Sequence, residues 1–140
     1  MIWCENNEIL IKSDLMPRTE VLKPNPFDDH IEKRIKNKLP YLNFFDVVFE
    51  VFYQGEWYRI EIEENYRWNG TNCLGLQHLP VLLDMSMIHD KLCRCRGLVK
   101  NNRKLSSIIL REIGIASGVH PIFMYIAYFL VELYQKCRGW

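Results

Sequence analysis

This sequence of 140 residues has no long apolar run, no excess of charge of either sign and no paired cysteine motif. Its longest apolar run, Pro121 to Val131, holds eleven residues, whereas a membrane-spanning helix needs about 20. No membrane contact is expected, and the run reads as a buried helix. Eighteen basic residues stand against seventeen acidic ones, a net charge of +1, so the total carries no nucleic-acid footprint. Met1-Ile2-Trp3-Cys4-Glu5 has neither the basic nor the apolar part of a secretory signal. The cysteines, Cys4, Cys73, Cys93, Cys95 and Cys137, are odd in number and irregular in spacing. That pattern points to free thiols in a reducing cytoplasm. No cofactor is expected. Internal repeats and low-complexity segments are missing too.

What is present describes a globular chain: 49% of residues are hydrophobic and 13% aromatic. The length fits one domain, 1–140, with strands and loops over 1–65 and a loop plus helices over 66–140. Glu8-Ile9-Leu10-Ile11-Lys12 reads as an edge strand. Pro17, Pro24 and Pro26 then interrupt regular structure. Asp28-Asp29 can cap a short helix whose thin stripe, Ile31, Ile35 and Leu39, is surrounded by Lys33, Arg34, Lys36 and Lys38. That segment is either a solvated amphipathic face or a basic surface for nucleic acid or an acidic partner.

Two period-two runs, 45–53 and 57–63, flank Gln54-Gly55 and predict a β-hairpin. Val48 and Phe52 make the outer face of its first strand partly apolar, so that strand is covered on both faces or offers a patch to a partner. Asn101-Asn102 can cap a helix to about Gly114, with Leu105, Ile108, Ile109 and Ile113 on one face. Pro121 suits the first turn of a last helix to about Cys137. Apolar residues nearly encircle the first half of that helix, which predicts a central helix or part of a subunit contact. The expected architecture is α+β: a small N-terminal antiparallel sheet, dominated by the 45–63 hairpin, packed on about three C-terminal helices.

The chemistry concentrates between Tyr66 and Cys95. Trp68, Asn69 and Gly70 form a loop, and an apolar segment then ends on His89-Asp90. In a helix starting near Pro80, His89 and Cys93 face the same way. Four readings stand side by side. In a hydrolase, His89 is the general base and Asp90, with Asp84, supports it, although adjacent helix residues diverge by about 100°. A zinc site would draw on His89, Cys93, Cys95 and either Cys73 or Cys137, without the usual paired spacing. A reactive thiol would use Arg94 and Arg96 to lower the pKa of Cys93 or Cys95. The fourth reading is architectural: His89 hydrogen-bonds a neighbouring loop and Asp90 pairs with a nearby cation.

Several short motifs are similar to those of the domain-of-unknown-function family 1353 of bacteriophages and bacteria. They are Trp68-Asn69-Gly70, His89-Asp90, Arg103 with Leu105-Ser106, and Met124-Tyr125-Ile126-Ala127, spread from about Phe45 to Trp140. The loop and His-Asp helix also distantly resemble secreted phospholipases A2, where the corresponding pair activates water and holds calcium. Where the family pattern has two acids and a serine, this chain has Asn69, Ser106 and Asn72. Hard cations need carboxylate oxygens, so these departures weigh against catalysis.

The resemblance implies a small accessory protein of a phage or mobile element, working in the host cytoplasm by binding a protein. An anti-CRISPR-like inhibitor of a host defence system fits that description. The expected contact residues are Trp68, Asn69, Gly70, Lys33, Arg34, Lys36, Arg94 and Arg96, with His89 and Asp90 catalytic only if the chain is an enzyme. A His-Asp hydrolase and a phage structural or assembly component are the alternatives. The partner and the oligomeric state are left open.

Overall fold

The computed structural model describes residues 1–14, 41–42, 46–68 and 83–140. In chain order the strands are β1 (Ile2–Glu5), β2 (Ile9–Ser13), β3 (Tyr41–Leu42), β4 (Val47–Tyr53), β5 (Glu56–Ile62) and β6 (Arg67–Trp68). The helices are α1 (Leu83–Arg94), α2 (Arg103–Ala116) and α3 (Pro121–Cys137), with a 3₁₀ turn, Arg96–Val99, between the first two. The layout is α+β, as the sequence predicts.

Alternation makes the sheet. On β4, Val47, Phe49, Val51 and Tyr53 point inward, and β5 answers with Tyr58, Ile60 and Ile62, all buried. Gln54 and Gly55 both take positive φ, 49° and 79°, the backbone of a tight hairpin turn that follows strand twist. The antiparallel order is β1-β2-β4-β5. The Glu8–Lys12 run is therefore not at an edge: β2 is an interior strand, because β1, unanticipated from the sequence, pairs along its free side. Trp3 on β1 reaches into the core and meets Phe49 edge-on at 5.5 Å. Trp68, expected in a loop, lies on β6, which pairs with β3 in a second, two-stranded sheet.

α2 is the central helix. It packs against α1, α3 and β1, and every residue from Leu105 to Gly114 is buried. Asn102 caps it, its side chain accepting from the Leu105 N–H at 3.0 Å. A methyl group at Gly114 would fall 2.6 Å from Met124 Sδ on α3 and 2.9 Å from Met85 Sδ on α1, so glycine there lets three helices converge. α3 begins as predicted with Pro121, and the His120 side chain caps the Ile122 N–H. It is neither central nor enclosed. Met124, Tyr128 and Gln135 are its buried residues. With α2 as its principal neighbour, most of its apolar surface faces out. No described helix is long and apolar enough to cross a membrane.

Candidate functional site

Helix α1 brings His89 and Asp90 to the surface of the core but turns them apart. Asp90 Oδ2 accepts from the Tyr66 hydroxyl at 2.5 Å and pairs with Arg94 Nε at 3.1 Å. Burial raises the Asp90 pKa, against the opposing pull of Tyr66 and Arg94. Burial, with the tight bond to the Asp90 carboxylate added, pushes the Tyr66 phenol well up.

His89 faces α3 instead. Its Nε2 lies 2.9 Å from Gln135 Nε2. With that amide donating, the ring proton sits on Nδ1. Burial pulls the His89 pKa down to about 4, so the imidazole is neutral at ordinary pH. The same amide nitrogen is 3.1 Å from Cys93 Sγ, and Gln135 Oε1 accepts from Ser107 Oγ. His89, Cys93 and Gln135 therefore form a neutral clasp joining α1 to α3. Among the described residues, no carboxylate stands beside the ring to orient it as a hydrolytic base would require. Asp84 is buried in the first turn of α1, where a carboxylate meets the positive end of the helix.

The thiol reading meets the opposite of the expected shift. Burial, with Asp90 adding to it, pushes Cys93 up to about 11, and Gln135 and Arg96 only partly offset this. Thiolate character needs the reverse. Arg94 and Arg96 are occupied elsewhere: Arg94 donates to the Arg67 carbonyl and lies over the Tyr66 ring, and Arg96 lies 4.7 Å over Trp140. No group of three or more potential metal ligands occurs among the described residues; Cys73, Asn69, Gly70, Lys33, Arg34 and Lys36 lie outside them. Trp68 is fully buried, stacked on Tyr66 and donating from Nε1 to Ser86 Oγ at 3.1 Å. It braces the core and offers no surface to a ligand.

Two polar features of α2 escaped sequence reasoning. Arg111, 5% exposed, pairs with Glu8 at 2.5 Å and Glu112 at 3.0 Å, and its guanidinium lies over Tyr125 and Tyr128 of α3. It links the β1–β2 turn, α2 and α3. Glu112 also holds the Cys4 thiol, whose pKa burial and that carboxylate push up to about 12. The Ser106 hydroxyl, in contrast, is buried without a hydrogen-bond partner among the described residues. A charged residue at a core position of an apolar stripe was the available signal for Arg111; its partner Glu8, 103 residues away, was not visible.

An open depression of about 390 Å³ is bordered by Asp46, Glu63, Lys91 and Cys95, among others, and the Lys91–Glu63 ion pair at 2.7 Å sits on its rim. The outer face of the sheet carries one aromatic pair, Phe52 and Trp57 at 5.1 Å, with Lys12 over the Trp57 ring.

Among the described residues, the largest exposed apolar feature is the outward side of α3. Ile122 is 67% exposed, Phe129 66%, Leu133 60% and Ile126 55%, flanked by exposed Tyr125 and Leu130. Helical spacing places these on one continuous stripe. Scattered apolar residues on a surface are ordinary, but a contiguous face of this kind marks a contact site.

No protein-family model, no curated protein and no solved structure matches the chain. The expected resemblance to domain-of-unknown-function family 1353 is therefore matched by none of these comparisons.

Proposed function

We propose that this chain is a non-enzymatic binding protein whose contact surface is the outward face of α3. The observation that carries this reading is the continuous apolar stripe from Ile122 to Leu133, left in water by a helix that holds on to the body through its other side. An ordinary monomer keeps its largest apolar patch to roughly 300–600 Å². At about 200 Å² for a large apolar side chain, the six residues of the stripe and its flanks expose roughly 700 Å². The neutral, tethered His89 and the diverted Asp90 support the same reading by leaving the hydrolase without its base and orienting carboxylate.

The biological setting we propose is the one the motif resemblance implies: an accessory protein of a phage or mobile element that blocks a host defence system by occupying a protein surface. The assembly-component reading draws on the same stripe, since a subunit contact is equally apolar.

A photo-crosslinking phenylalanine analogue at position 129 tests the proposal. In cells expressing the chain, it is expected to trap a protein adduct, and Ile126→Glu is expected to abolish that adduct with the circular dichroism unchanged. No adduct, or turnover of a small substrate that depends on His89, would overturn it.

A further inference from the structure

The spacing of the α3 stripe reads the same from either end. Ile122, Ile126, Phe129 and Leu133 are separated by four, three and four residues, the rhythm of a helix that packs along another helix. Two copies laid antiparallel about the midpoint between Ile126 and Phe129 set Ile122 against Leu133 and Ile126 against Phe129, and each contact occurs twice. A two-fold interface requires this self-complementarity, because one patch serves both subunits. Antiparallel packing also sets the helix dipoles against each other.

Charge and area agree with it. Between Ile122 and Leu133 the one charged residue, Glu132, is turned inward to Ser107 and Arg103. The stripe therefore has no ionic feature to select an acidic or basic target, and pairing it with itself desolvates no charge. The roughly 700 Å² of exposed apolar surface on the stripe and its flanks is close to the ~800 Å² that each partner contributes to a standard stable interface.

We propose that the occupant of this face is a second copy of the same chain, so that the protein is a two-fold dimer joined antiparallel through α3. The proposal rests on reading the face as a protein-docking surface, and names the protein that docks.

Sedimentation equilibrium of the full chain is expected to give a dimer. Ile126→Glu is expected to give a folded monomer, its dissociation constant raised on the order of 100-fold or more because a carboxylate would be buried unpaired. Mixing Ile126→Glu chains with Phe129→Lys chains is expected to restore a dimer, since the antiparallel register sets the new carboxylate against the new ammonium. Should either charged variant lose its fold, Leu133→Ser, which adds no charge, takes its place in the weakening test. A monomeric parent chain, a dimer indifferent to Ile126→Glu, or a mixture that does not re-pair overturns the proposal. The docking reading fails separately. A monomer that crosslinks a different protein through position 129 removes the second copy and keeps the docking surface. A monomer with no adduct, or one whose Ile126→Cys thiol is shielded from a thiol reagent, removes both.

Discussion

α2 encloses two serines, an arginine and a glutamate, while α3, beside it, leaves isoleucines, leucines and phenylalanines in water. Composition alone would assign the two helices the other way round. The difference is one of position. α2 has neighbours on several sides, α1, α3 and β1, so whatever it carries is desolvated and must find partners inside. Most of its polar groups do: Ser107 reaches Glu132 at 2.7 Å, and Arg111 reaches Glu8 and Glu112. α3 leans chiefly on α2, touches α1 through Gln135, and leaves its outer side exposed. A stripe of apolar residues predicts what a helix can bury, and the number of its neighbours decides how much it does.

The sharpest way to break the contrast is at Arg111. Arg111→Ala leaves Glu112, 7% exposed, as a buried charge without its main partner. The expected loss is about 3–5 kcal/mol in urea unfolding; a loss below about 1 kcal/mol would mean that the cluster is solvated after all. Next comes pH. An unfolded His89 takes up a proton below 6.5, whereas the folded one stays neutral to about 4. Folding stability should therefore fall as pH drops through that window, by at most about 3 kcal/mol. Asp90, whose pKa is raised, opposes the trend at its acid end. His89→Gln should flatten the slope between pH 6.5 and 4, and an unchanged slope would remove the clasp as its source.

Smaller effects sharpen the comparison. Ser106→Ala removes a buried hydroxyl that has no partner among the described residues, and thermal unfolding should show a gain of up to about 1 kcal/mol. The least effect is expected on the outer stripe. In dilute solution, where linkage to association vanishes, Phe129→Ala should change stability by about 0.5 kcal/mol or less. A loss of about 3 kcal/mol, typical of a buried aromatic, would place Phe129 inside.

The sequence yielded the parts of this fold that rest on local physics. Strict alternation and a Gln-Gly turn mark β4 and β5, Asn102 marks the start of α2, and Pro121 marks the start of α3. What it hid depends on distant pairing. β1 has too few residues to show a period, and its partner β2 looked like an edge until β1 was placed beside it. Trp68, placed in a loop by its Asn-Gly neighbours, belongs to a strand of two residues. At the candidate site, His89 and Asp90 were found because adjacent polar residues interrupt an apolar run. Their partners, Gln135 and Tyr66, lie 46 and 24 residues away, beyond any local pattern. The α3 stripe was visible as a pattern, but its exposure was not, since nothing in a periodic run says which helix ends up outermost.

The residues that fasten α3 to the body, Met124, Tyr128 and Gln135, share no position with those that face outward. Evolution can therefore rewrite Ile122, Ile126, Phe129 and Leu133 without endangering the scaffold. In this helix the outward surface and the capacity to fold are inherited on separate sets of codons.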